Sequence, residues 1–202
     1  GIGARTDRRR VYPHGALTAH IVGYADIDNR GLAGMERQFD GRLRRGERIQ
    51  ISLDVRVQHV LREELAVTVK RHHAIGAMGT ILDVKTGEVV AMVSLPEFDP
   101  HAQTSPTDEG RFNRVTLGTY EMGSTFKILN TAMALDSGTA TLEKVYDARF
   151  PLKHGRFTIS DFHGKGRAMS VTEIFQFSSN IGSAKMAIEA GTPRQRAFMG
   201  RA

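Results

Sequence analysis

Ser124 and Lys127 lie three residues apart in Tyr120-Glu121-Met122-Gly123-Ser124-Thr125-Phe126-Lys127. That spacing puts a hydroxyl and an amine on one face of a single helical turn. A free serine hydroxyl is a poor nucleophile and needs an adjacent base to take its proton. A lysine serves as that base only when burial or nearby positive potential lowers its own pKa. A helix N-terminus supplies such potential, and its unpaired N–H groups can stabilise an oxyanion forming beside Ser124. The apolar residues that follow (Phe126, Ile128, Leu129, Ala132, Met133, Leu135), closed by Gly138, predict a buried helix with the motif in its first turn. Alone the motif is weak, since Ser-x-x-Lys arises by chance roughly once in a chain of this size.

A second element changes its weight. Ser178-Ser179-Asn180 stands between two helical patterns, residues 170–177 and 181–190. The first opens on Ser170 with Glu173 three residues on, a capping box. The second closes at Gly191, a normal helix stop. By itself the triplet reads as Ser179 or Asn180 capping the second helix. Following Ser-x-x-Lys, it is also the second member of the set Ser-x-x-Lys, Ser-x-Asn, Lys-Thr-Gly found in penicillin-binding proteins and serine β-lactamases. Two of the three stand here in that order.

The rest of the chain strengthens the resemblance. Arg10-Val11-Tyr12-Pro13-His14-Gly15, Ala19-His20-Ile21-Val22-Gly23-Tyr24 and Gly31-Leu32-Ala33-Gly34-Met35-Glu36 resemble the non-catalytic module of class B penicillin-binding proteins. Leu53-Asp54-Val55-Arg56-Val57-Gln58, Thr86-Gly87-Glu88-Val89-Val90-Ala91-Met92, Phe112-Asn113-Arg114 and Asp161-Phe162-His163 resemble the opening of their transpeptidase domain. The match is nearest to the septal, division-specific FtsI type rather than the elongation type.

The resemblance implies an α/β (α+β) fold with an antiparallel sheet flanked by helices. Residues 1–48 are expected to be the C-terminal part of a non-catalytic pedestal module. Residues 49–202 are expected to be the N-terminal portion of the transpeptidase domain, a truncated fragment whose third motif falls beyond Ala202. The activity implied is peptidoglycan D,D-transpeptidation on stem peptides ending in D-Ala-D-Ala. Ser124 is then the nucleophile, Lys127 the base, and Ser178 a proton relay. Asn180 binds the substrate amide and positions Lys127, while Ser124, Ser179 and Asn180 form the substrate-binding group. The Ser124 backbone N–H supplies half of an oxyanion hole. β-Lactams acylate the same serine, and no metal or cofactor is needed. Other division proteins are implied partners. The implied location is the inner membrane, through an anchor not in this chain, with the catalytic part facing the periplasm. Two rivals stand beside this reading. A class D β-lactamase or sensor domain shares Ser-Thr-Phe-Lys but generally carries Ser-x-Val in place of Ser-x-Asn. A non-catalytic scaffold of the division machinery belongs to another class altogether.

Composition narrows the alternatives. The 202 residues are 40% hydrophobic, ordinary for a globular chain, with no membrane-length apolar run and no signal peptide. Zero cysteines remove disulfides and cysteine nucleophiles. The +6 charge gathers partly in Arg5, Arg8, Arg9 and Arg10 and in Arg42, Arg44, Arg45 and Arg48. No stacking aromatics interleave these arginines, which argues against nucleic acid and for a solvated, membrane-proximal or partner-facing surface. Metal ligation is unsupported: His72-His73 is adjacent and no His-Glu-x-x-His occurs. His59 and Glu63, at i,i+4, read as a solvated helix face. His163 reads as part of a glycine-rich loop. No carboxylate pair suggests a glycosidase.

The elements that must position the site follow from pattern. Residues 1–48 hold two short helical patterns broken by Asp26-Ile27-Asp28-Asn29-Arg30-Gly31. Residues 42–48, with Gly41 and Gly46, read as a boundary or turn. Residues 49–53 alternate and predict a short strand. Asp54 predicts the cap of a long helix with Val57, Val60, Leu61 and Leu65 on one face. Residues 77–84 and 89–95 predict a hairpin. Lys85-Thr86-Gly87 spells the third motif, yet it precedes the nucleophile and reads as the hairpin turn. Residues 96–118 form a polar loop leading to the Ser124 helix, and Asp99 and Asp147 read as turn residues.

Overall fold

In the computed structural model, which describes residues 9–102 and 108–201, the chain divides into two compact units, Gly1–Thr119 and Tyr120–Ala202. Both mix helices with antiparallel strands, an α/β fold. The strands make three two-stranded antiparallel sheets among the described residues.

In the first unit, the turn of 3-10 helix Gly15–Thr18 leads into three short helices, α1 (Ala19–Val22), α2 (Gly34–Gln38) and α3 (Asp40–Arg44). The Asp26 carboxylate closes the loop between α1 and α2 by accepting the Asp28 and Arg30 N–H groups. The basic stretch is partly helical rather than a plain turn. Arg42 and Arg45 both grip Glu47 across its end.

Asp54 caps α4 (Val55–His72) by accepting the Arg56 N–H at 2.9 Å. Helix α4 packs on the hairpin of β1 (Ala77–Leu82) and β2 (Val89–Leu95), paired antiparallel from Ala77↔Leu95 to Leu82↔Val89. Gly79 is where the two meet closely: a Cβ there would lie 3.1 and 3.2 Å from the Leu61 and Leu65 methyls. Val60, placed on that face by periodicity, is instead 60% exposed. Residues 49–53 are not a strand. Ser52 donates its hydroxyl to Val89 O and the neighbouring Asp54 donates its N–H to Val90 O, which do not make a strand ladder.

Gln58 knits the unit together. Its side chain is 2% exposed, donates to Leu17 O and Met92 O, and accepts the Met92 N–H. Residues on both sides of position 48 therefore share one interior. The compact units divide after Thr119.

In the second unit, a turn of 3-10 helix (Gly123–Phe126) runs into α5 (Lys127–Asp136). Strands β3 (Val145–Asp147) and β6 (Ala168–Ser170) pair antiparallel, as do β4 (Leu152–His154) and β5 (Phe157–Ile159). Helices α6 (Val171–Gln176) and α7 (Asn180–Met199) complete it. The core joins Ala134 of α5, Tyr146, Met169, Val171 and Ile174, and Ile181 and Met186 of α7. Helix α7 breaks at Gly191, φ 78°, where the sequence expected a stop, and helical backbone resumes beyond it.

Candidate active site

Gly123, at φ 53°, turns the chain into the 3-10 segment that carries Ser124, and Lys127 begins α5 proper. The nucleophile candidate thus sits on a tighter turn than the expected first turn of α-helix. The helix is also less buried than its apolar run predicted. Phe126 and Ile128 are half exposed, and the inward face is Asn130, Thr131, Met133 and Ala134.

The two motifs meet at one nitrogen. Lys127 Nζ lies 3.1 Å from Ser124 Oγ, 2.9 Å from Ser178 Oγ, 2.7 Å from Ser178 O and 2.6 Å from Asn180 Oδ1. An ammonium has three N–H bonds for these four oxygens. Once neutral, the amine has two N–H bonds and one lone pair, and that lone pair can accept the proton of a serine hydroxyl. Burial pushes the Lys127 pKa below the ordinary lysine value, and the negative charge of Asp161 opposes that shift only in part.

Local backbone explains how Ser178 and Asn180 reach Lys127. The capping box at Ser170 is complete, with Glu173 N–H on Ser170 Oγ and Ser170 N–H on the Glu173 carboxylate. Helix α6 then ends with Ser178 in the left-handed region, φ 55°, which turns the chain sharply before α7. Asn180 Nδ2 donates to Ser160 O at 2.9 Å, so the amide oxygen is the atom left facing Lys127.

Ser179 does not face the same way. It is 2% exposed, caps α7 by accepting the Gly182 N–H at 3.0 Å, and donates to Asp161 Oδ2 at 2.8 Å. Of the five residues expected at the substrate or in catalysis, Ser124, Lys127, Ser178 and Asn180 come together. The Ser179 side chain, expected at the substrate, is turned into the fold because the helix cap claims its hydroxyl.

Two builders of the site carried no assigned role in the sequence. Asp161 accepts Ser179 Oγ with one oxygen and the Ile181 N–H, at 2.9 Å, with the other. Asn130, one turn after Lys127, is buried and donates to Ser183 O and Oγ at 2.9 and 2.8 Å, locking α5 to α7. Its i+3 spacing from Lys127 was the available signal.

The remaining candidates fall elsewhere. His163 is exposed and meets the Phe162 ring edge-on, centroids 4.4 Å apart. Lys85-Thr86-Gly87 is the hairpin turn, with Asp83 Oδ1 accepting the Lys85 and Thr86 N–H groups and Gly87 at φ 75°. Asp99 and Asp147 accept the N–H two residues on, as turn residues do. Among the described residues no group of three His, Cys, Asp or Glu is placed to hold a metal, and no helix is long and apolar enough to cross a membrane.

The family model for the Penicillin binding protein transpeptidase domain matches residues 77–202. The chain belongs to this family. This transpeptidase-family chain is 41% identical over 199 residues to the Probable peptidoglycan D,D-transpeptidase FtsI of Caulobacter vibrioides (strain NA1000 / CB15N), a match covering 96% of this chain and 34% of that one. It is 30% identical over 214 residues to the Peptidoglycan D,D-transpeptidase FtsI of Escherichia coli (strain K12), covering 93% and 36%. A crystal structure from Atopobium parvulum DSM 20469, described as a peptidoglycan glycosyltransferase, superposes with a TM-score of 0.78 at 25% identity, over 94% of this chain and 48% of that one. The chain spans about a third of the length of these curated relatives.

Proposed function

We propose that this chain carries the serine and lysine of a division-specific peptidoglycan D,D-transpeptidase. The observation that supports this most is the single amine of Lys127, which touches Ser124 Oγ and both polar ends of the second motif.

In this reading neutral Lys127 takes the proton of Ser124 Oγ as that oxygen attacks the penultimate D-alanine carbonyl of a stem peptide. The tetrahedral intermediate collapses, the terminal D-alanine leaves, and its amine receives a proton from Lys127 through the Ser178 hydroxyl. The product is an ester on Ser124. The amine of a second stem peptide then attacks that ester, giving a crosslink and restoring the serine. The Ser124 N–H is one oxyanion donor, and the resemblance assigns the other to the strand bearing Lys-Thr-Gly. Asn180 holds Lys127 through Oδ1. β-Lactams enter the same path as strained amides. The same reading places residues 1–48 in the pedestal module, the catalytic part on the periplasmic side of the inner membrane, and other division proteins among its partners.

A class D β-lactamase is the nearest rival. Asn180 Oδ1 on Lys127 at 2.6 Å favours the transpeptidase, since the valine usual at that place cannot make the bond. The test is intact-mass measurement of the protein with benzylpenicillin over time. A persistent adduct is the expected result, an adduct lost within seconds indicates a lactamase, and no adduct indicates a scaffold.

A further inference from the structure

Lys165 is held beside the turn at residues 178–180 with no carboxylate partner among the described residues. Its loop is tied to that turn at two points. Ser160 O accepts Asn180 Nδ2 at 2.9 Å, and the Asp161 carboxylate accepts Ser179 Oγ and the Ile181 N–H. From this base the Lys165 ammonium reaches 4.7 Å from the centre of the Phe177 ring. Phe177 is 39% exposed and is bonded directly to Ser178, whose hydroxyl contacts Lys127.

The acids nearby in sequence are already engaged. Asp161 is spent inside the turn, and Glu173 is held by Arg167 at 2.6 Å and by the Ser170 N–H. Lys153 and Arg156, on the β4–β5 hairpin that feeds residue 160, likewise have no ion pair among the described residues. Lys165 is therefore a cation without an ion pair among the described residues, set over an exposed ring that is bonded to Ser178.

We propose that Lys165 and Phe177 form a subsite for a carboxylate of the donor peptide. The inference rests on the transpeptidase reading and adds a specificity determinant to it. An ammonium on a flexible stem attracts a carboxylate as a point charge, without the fixed fork geometry of arginine. The Phe177 face favours the ammonium position through the ring quadrupole. Because the pair is exposed, its effect is modest and screened by salt.

The experiment compares two penicillins that differ by one carboxylate, benzylpenicillin and its α-carboxy derivative, on the intact protein and on Lys165→Gln, Lys165→Glu and Lys165→Arg. The readout is the ratio of the two second-order acylation rates. The ratio should fall by about threefold to tenfold in Lys165→Gln, as expected for one exposed ion pair. It should fall further in Lys165→Glu and hold in Lys165→Arg. The difference should vanish near about 1 M salt, where screening acts over about 3 Å. An unchanged ratio across the variants overturns the subsite alone. No acylation of the unsubstituted protein by either penicillin overturns the transpeptidase reading and the subsite with it.

Discussion

The Asp161 carboxylate accepts the Ser179 hydroxyl at 2.8 Å while its other oxygen accepts the Ile181 N–H. One acid thus fixes the start of α7 and, through it, the reach of Asn180 to Lys127. Its charge also acts on Lys127 in the opposite sense to burial. Asp161→Asn keeps the shape and removes the charge, leaving burial unopposed, so the Lys127 pKa should fall further. Since the neutral amine is the base, the acidic limb of the acylation profile should move to lower pH. A pH–rate series with benzylpenicillin checks this, and a limb moving to higher pH would mean that another group titrates.

Ser124→Ala should show no covalent adduct by intact-mass measurement, because no other hydroxyl shares its contact with Lys127 Nζ from the same turn. Lys127→Ala should keep the fold and slow acylation by about a hundredfold or more, the usual worth of positioned proton transfer. A full-size adduct on the alanine variant of Ser124 would move the nucleophile elsewhere.

Ser178 separates stability from activity. At φ 55° it occupies backbone space that suits glycine, a conformation costing a non-glycine residue about 1 kcal/mol or more. Ser178→Gly should therefore unfold at a denaturant concentration no lower than Ser178→Ala. Both lose the hydroxyl 2.9 Å from Lys127 and should be acylated slowly. Equal slowing with different stability is the expected pattern. Retained acylation in either variant would remove Ser178 from the proton path.

What was legible in the sequence is what depends on neighbours along the chain. Ser124 with Lys127, the Ser170–Glu173 capping box and the Lys85-Thr86-Gly87 turn are local, and all appear as spacing predicts. The hairpin was legible too, because two β-rich runs flank a short polar turn. The partners of Asp161 and Asn130 were not, since they lie 18 to 20 and 53 residues away in sequence. Residues 49–53 alternate as a strand does, yet alternation cannot supply a neighbour to pair with. Val60 precedes Leu61 by one residue and so points about 100° away around the helix. Ser179 was readable both ways, and the cap reading prevailed because burial rewards a hydroxyl with two partners.

Glu173 makes stability depend on acid. Its hydrogen bonds to Arg167 and the Ser170 N–H hold its pKa at about 2, below the usual 4.5. A carboxylate with a depressed folded-state pKa stabilises the fold above its unfolded value and loses that contribution as pH falls. The stability of the intact protein should decline between about pH 4.5 and about pH 2, and Glu173→Gln should flatten that decline. Denaturant titrations across the window measure it.

Gly182 tests whether the packing of α7 sets the chemistry. A Cβ at this position would lie 2.5 and 2.6 Å from the Ile174 side chain, which is 1% exposed and cannot swing into solvent. Overpacking of this kind costs about 1–3 kcal/mol. Relief must come from displacing the first turn of α7, where the Gly182 N–H also bonds Ser179 Oγ. Asn180 lies two residues away on that turn and would lose its 2.6 Å approach to Lys127. Gly182→Ala should therefore lower both the unfolding midpoint and the acylation rate, although residue 182 touches no reacting atom. Ile174→Val in the same chain removes one of the clashing methyl groups, so the double variant should recover part of both. Recovery of stability without recovery of acylation would show that α7 packing and the Lys127 cluster are independent.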